Sequence, residues 1–295
     1  MLHTIQSDIL RADINSVGAE LFSIYSKQTG KEYLWQGDSV WWSGRAPILF
    51  PIVGAMKDNS YIYNSKIYHM PKHGLVRRAK FDVAAAESSK IVFEYSDNEE
   101  TQGLYPFEFL FQAIFELTDS MLSVSYRVEN RNKCPMYFSL GSHEAYRCPR
   151  ENGESFEDYY LEFEKDGIYT GETVTDKGLI SGETYTVIED GRIIPLAYNL
   201  FEKDAIIFKN VPSSRIFLKS KKTSDTVEVA YQDAPHLAIW TKVGAPFICI
   251  EPWHGIPDDA EHKGRVEVKS GIITLDAGSD FMWTHTITIH EGVFQ

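Results

Sequence analysis

The chain lacks the residues and motifs on which many catalytic schemes are built. Cysteine is scarce: Cys134, Cys148 and Cys249 are the only three in 295 residues, and no CxxC pair occurs. An odd count without paired spacing implies no disulfide framework. There is no GxSxG elbow, no Walker-type GxxxxGKS and no GxGxxG, so the familiar nucleophile and nucleotide signatures are missing. Basic residues are outnumbered, 29 against 42 acidic, for a net charge of −13. That balance disfavours nucleic acid, whose binding depends on neutralising phosphates, and an anionic membrane surface. No apolar run approaches the length that spans a bilayer. The segment MLHTIQSDILRADI has no charged n-region followed by an apolar h-region, so a cytoplasmic, reducing location is expected. Helical periodicity is thin: only residues 257–263 and 200–204 suggest short helical turns.

Strands, by contrast, are abundant. Tyr (16) and Phe (17) are plentiful, and both favour strands. In Met121–Asn130, Leu122, Val124, Tyr126 and Val128 alternate with Ser123, Ser125, Arg127 and Glu129, the pattern of a half-buried antiparallel strand. Residues 91–95, 107–117, 227–231, 237–241 and 284–289 read as further strands. Gly, Asn, Asp and Pro clusters separate them. No repeat at solenoid or propeller spacing and no low-complexity linker divides the chain. The expectation is one all-β domain over residues 1–295, a large antiparallel β-sandwich with few short helices.

Five segments concentrate candidate chemistry. APFICIEPWHGIPD (residues 245–258) ends an apolar run on Glu251, and strand alternation puts Phe247, Cys249 and Glu251 on one face. A carboxylate there is partly desolvated, which raises its pKa toward the range of a general acid or base. Water at a strand end is the plainer alternative for Glu251. WWSGRAPILFPIVG (residues 41–54) places Arg45 before a Pro-bracketed run; by itself Arg45 reads better as a surface cation paired with an acid. PKHGLVRR (residues 71–78) sets His73 beside Gly74, with Lys72 and Arg77 close by. His69 and His73 stand four apart, but Pro71 between them opposes a helical zinc site. In PMYFSLGSHEAY (residues 135–146), alternation puts Tyr137, Ser139, Gly141 and His143 on one face, with His143 a possible proton donor near neutral pH. Asp204 in FEKDAIIFK (residues 201–209) alone reads as a turn or cap residue.

The ordered set GAELFSI (18–24), YLWQGD (33–38), GRAPILFPIVG (44–54), HGLVR (73–77), YPFEF (105–109), SLGSHEAY (139–146) and CIEPW (249–253) resembles the aldose 1-epimerase (galactose mutarotase) family, most closely its LacX-type branch. The resemblance runs from near residue 15 to near residue 290. It implies a galactose mutarotase-like β-supersandwich with an open sugar cleft, acting without a metal or organic cofactor on a hexose such as galactose. It implies Glu251 as general base and His143 as general acid. His73, Arg45 and, less distinctively, Asp204 are implied to hold the sugar, with Arg77 and Trp253 as further substrate contacts. Glu144-Ala145-Tyr146 after the histidine and Pro252-Trp253-His254 after the base depart from the family pattern. The hexose 6-phosphate branch carries an arginine and an HG-x-x-R segment similar to Arg45 and residues 73–77. The implied partner is therefore a small-molecule sugar or sugar phosphate, and the implied assembly a monomer or homodimer. The mechanism that follows starts from a Glu251 carboxylate and a His143 imidazolium. Trp35 and Trp253 are candidate aromatic walls. A non-catalytic sugar-binding protein, a glycoside hydrolase with its two carboxylates and a protein-interaction module are the alternatives. Convergence of Arg45, Lys72 and Arg77 on the cleft would favour a phosphosugar.

Overall fold

A computed structural model describes residues 1–292. Strands make up 48% of the chain and helix 8%, and the sheets are antiparallel. The largest sheet has nine strands in the order Ile193–Pro195, Tyr159–Phe163, Arg215–Ser220, Thr226–Ala230, Asp280–His290, Met121–Asn130, Phe109–Thr118, Lys90–Ser96 and Asp82–Ala86. A seven-stranded sheet carries Phe247–His254 one strand in from its edge. On one side that strand pairs with Leu140–Gly141 and Glu144–Arg147; on the other lie His236–Trp240, Ile206–Lys209, Tyr169–Val174 and Ile180–Ile188 in turn. A three-stranded sheet of Leu2–Gln6, Leu10–Asn15 and Glu20–Ser26 flanks them.

Alternation places the core. Leu122, Val124, Tyr126 and Val128 join the main apolar cluster, as the period of two requires. In Phe247–His254 every residue but the last is buried, so the strand is covered on both faces. Ile248 and Ile250 enter the main core, while Phe247 and Cys249 pack with Trp35, Ala145 and Ala245 on the other face. Glu251 continues that second face, opposite Ala238 on the neighbouring strand, and Ala238 is paired in turn with Ile207.

The helical expectations fare unevenly. Tyr198–Phe201 forms a single 3-10 turn, close to the expected place. Residues 257–263 form no helix. The Asp258 carbonyl accepts from Ile180 N and Ala260 N donates to the Ile180 carbonyl, which holds this stretch extended beside Ile180. The α-helix Glu99–Leu104 is an addition to the sequence reading. Asn98 caps it, accepting from Glu100 N and Thr101 N.

Candidate active site

A cavity of about 280 Å³ opens over the Glu251 face of the seven-stranded sheet. Among its lining residues are Trp42, Lys72, His73, Arg77, His143, Asp204, Trp240, Glu251 and Trp253. Six of the seven residues proposed from sequence thus meet in one place, although they come from four separate segments.

Each side chain is held by an identifiable local device. Glu251 stands inside Phe247–His254, hydrogen-bonded into the sheet on both sides. His143 sits in the short break between Leu140–Gly141 and Glu144–Arg147, where the chain leaves one ladder segment and enters the next. Gly141 allows Trp253 to close in: a Cβ there would lie 2.5 Å from Trp253 Cδ1. Trp253 Nε1 donates to the Ser142 carbonyl and fixes the residue before His143. His73 has φ of +67°, a left-handed conformation uncommon for a non-glycine residue. Gly74 follows with φ of +78° and its Cα against the Phe50 carbonyl, where a Cβ would sit 2.1 Å from the oxygen. The Gly54 amide donates to His73 Nδ1 at 3.2 Å, so the neutral ring carries its proton on Nε2.

His143 Nδ1 lies 3.4 Å from Glu251 Oε1, with the two side chains 10% and 2% exposed. The rings of His73 and His143 meet edge to face at 5.6 Å. Burial lifts the Glu251 carboxyl well above its ordinary range; Lys72 opposes the rise, while Glu144 and Asp204 add to it. Burial, then Arg77 and Lys72, hold the His143 imidazole down at about 3. His73 is also pushed well below its usual value by burial, His143, Lys72 and Arg77. Burial thus drives both members of the pair toward their neutral forms, a carboxylic acid facing a neutral imidazole. The ion pair expected from sequence is the same one-proton system with the proton on the other partner.

Arg45 is placed differently from the expectation. Its guanidinium lies 4.0 Å over the Phe22 ring and donates to the Gln36 carbonyl, outside the cavity lining. Its backbone amide, rather than its side chain, meets an acid, Glu20. The side chain turns away because Phe22 and residues 36–37 receive it, and Trp42 occupies the cleft wall in that segment. Trp35 lies behind the wall, against Phe247, with its Nε1 donating to the Trp42 carbonyl. His254 points to the opposite face of its strand and packs edge-on against Phe281 and Trp283. Trp42 and Trp240 were missed in the sequence. For Trp240 the available signal was its pairing parity, two residues from Ala238 on the Glu251 face; for Trp42 no pattern pointed to it.

A ring nitrogen of His143, the Cys249 thiol and a Glu251 oxygen lie within 4.8 Å of one another, donor types that suit zinc. Lys72 and Arg77 line the same cavity and oppose a divalent cation there, and Cys249 has no exposed surface. A larger void of about 490 Å³ shares Val174, Asp204 and Ala205 with the cleft. Its Tyr185 is paired with Gly171, next to the core residue Phe208, so it opens on the reverse face of the sheet.

Comparison with known proteins finds relatives along most of the chain. The family model described as aldose 1-epimerase matches residues 1–269. The chain is 30% identical over 274 residues to the plasmid-borne protein LacX of Lactococcus lactis subsp. lactis, covering 90% of this chain and 91% of that one. A galactose mutarotase related enzyme from Lactobacillus acidophilus superposes with a TM-score of 0.94 at 32% identity, over 99% of this chain and 98% of that one. A galactose mutarotase-like protein from Lactobacillus casei gives 0.93 at 32% identity, over 98% and 100%.

Proposed function

The chain belongs to the aldose 1-epimerase family, and from that premise we propose that it interconverts the α and β anomers of an aldose by acid–base ring opening and closure. The observation that carries this reading is the 3.4 Å approach of His143 to Glu251 beside a cavity of about 280 Å³. The anomeric hydroxyl and the ring oxygen are bonded to one carbon, so the base and acid that serve them must be neighbours. Substrate polarity and a short proton transfer between the two residues give the Glu251 carboxylate and the His143 imidazolium. Glu251 takes the proton of the anomeric hydroxyl, His143 protonates the ring oxygen, and the C1–O5 bond breaks to the free aldehyde. Rotation about C1–C2 presents the other face, and the same groups close the ring in reverse. The pair ends with the single proton it began with. Its two ionisations belong to the pair rather than to either residue.

His73, through Nε2–H, and Asp204 supply a donor and an acceptor for sugar hydroxyls, orienting the ring before chemistry. Trp253 forms an apolar wall. Lys72 and Arg77 are two cations in the cleft of a chain with net charge −13, and they favour an aldose that carries an anionic group, such as a hexose 6-phosphate. A glycoside hydrolase would need a second carboxylate flanking the bond. Asp204 is the other acid lining the cavity, and it is not paired with a proton donor as Glu251 is.

The test is anomer exchange followed by polarimetry or NMR on glucose, galactose and their 6-phosphates. Glu251→Gln and His143→Asn should each lower the rate by about 10²–10⁴-fold with sugar binding retained. Binding without acceleration by the parent protein would assign it instead to sugar binding or sensing.

A further inference from the structure

His143 has an aromatic neighbour that the mechanism above leaves unused. The Trp42 indole stacks on its imidazole with ring centroids 5.0 Å apart and planes 25° from parallel. Trp240 meets the same imidazole edge to face at 5.9 Å. Trp42 is itself fixed: its amide donates to the Asp38 carbonyl, its carbonyl accepts from Trp35 Nε1, and its ring packs against Trp240 and Phe247. The stack is therefore built by the surrounding structure.

A cation within about 6 Å of an indole centroid, over its face, is attracted by the ring quadrupole. The titratable and charged groups that face His143 are Glu251, His73, Lys72 and Arg77, with Glu144, Asp204 and Cys249 next to Glu251. Lys72 and Arg77 oppose a positive imidazole, and burial opposes it further. Ring protonation nevertheless requires that positive imidazole to exist. Glu251 stabilises it from one side, and the indole face is placed to stabilise it from another.

We propose that Trp42 is a positioning residue for the acid step, holding the His143 ring in plane and stabilising its protonated form through the indole face. This inference rests on the reading of His143 as proton donor. Removing the π face lowers the ionisation that adds a proton to the neutral His143 ring and makes the imidazolium–carboxylate form harder to reach; loss of the Glu251 proton is unmoved, because neither form it connects carries charge on His143. Opening the site to water would have the opposite sign, since hydration favours the cation.

The experiment compares the parent with Trp42→Phe and Trp42→Leu. Both replacements keep an apolar cover, and only Phe keeps a π face. Anomer exchange on glucose is measured against pH to give kcat and KM. Trp42→Leu should lower kcat by about ten-fold, the equivalent of one pKa unit, with little change in KM. The acid limb of its kcat profile should move to lower pH by about 0.5–1 unit, and the alkaline limb should stay in place. Trp42→Phe should keep most of kcat and the parental limbs. Equal behaviour of Phe and Leu, or an acid limb that moves up in Leu, overturns the proposal. If the parent itself accelerates no exchange, the functional reading has failed. Titration of His143 by NMR in the three proteins then decides the inference alone. A pKa lower in Leu than in parent and Phe supports it, and three equal values overturn it.

Discussion

At the residue scale the site depends on how burial redistributes one proton. Glu251 is 2% exposed and His143 8%, so each is driven toward its neutral form, and the cost of charging either is met only when substrate and partner are in place. That account makes the charge of Lys72 consequential, because it lowers the Glu251 pKa while raising the cost of a His143 cation. Lys72→Met should lower kcat/KM for glucose 6-phosphate relative to glucose by about ten-fold, the scale of one charge-assisted hydrogen bond. The ratio of the two substrates in one variant is the readout, since it cancels the effect on Glu251. An unchanged ratio would remove the anionic-group argument. Strand parity predicted the orientation of Glu251: Phe247 and Cys249 share its face as expected. The family resemblance, not the residue reading, put Arg45 on the sugar; its side chain leaves the cleft because a long side chain in an irregular segment can go in any direction, and parity says nothing about rotamers.

At the element scale the site is a strand, a strand break and two loops pinned together. Phe247–His254 was legible as an apolar run ending on a carboxylate, and its partner near His143 was legible as a second alternating segment. The loops were not legible, because their shape depends on contacts far along the chain. The buried Asp258–Lys269 pair, 3.2 Å apart, is an example: Asp258 also accepts from Lys57 N and so ties the loop after Glu251 to the one that begins at Gly54. The helix Glu99–Leu104 escaped notice because its capping partner at the third position is Thr101 rather than Glu or Gln. The His73–Gly74 turn is the most constrained of these pieces. Gly74→Ala adds a Cβ 2.1 Å from the Phe50 oxygen at φ of +78°, so the parallel bridge from Phe50 to Gly74 must part. A loss of about 1–3 kcal/mol is expected from overpacking and backbone strain, with KM for sugar raised as His73 is displaced. Urea unfolding and steady-state kinetics on one preparation check both parts, and parental values in both would refute the constraint.

At the scale of the whole molecule, the period-two pattern foresaw the strands around Met121–Asn130 and Phe247–His254, while Asp82–Ala86, Tyr159–Phe163, Tyr169–Val174, Ile180–Ile188, Ile193–Pro195 and Arg215–Ser220 were not read from the sequence, and the choice of which strands neighbour one another depends on long-range pairing. Burial also sets how the molecule responds to acid. His73, His143, His236 and His254 are all held below their ordinary value of 6.5, the last two at about 4. A histidine depressed on folding gives stability that is present above 6.5 and lost as pH falls toward the folded value. For His236 the loss by pH 5 is about 2 kcal/mol. The urea midpoint should fall between pH 7 and pH 5, and His236→Gln should flatten that fall; an equal slope in parent and variant would contradict the assignment. The central claim concerns the intact protein acting on free sugar, and anomer exchange on glucose, galactose and their 6-phosphates by parent and Glu251→Gln tests it most directly. The account predicts exchange well above the uncatalysed rate in the parent and a loss of at least about 10²-fold in the variant, with sugar still bound. Equal acceleration by both proteins would contradict it.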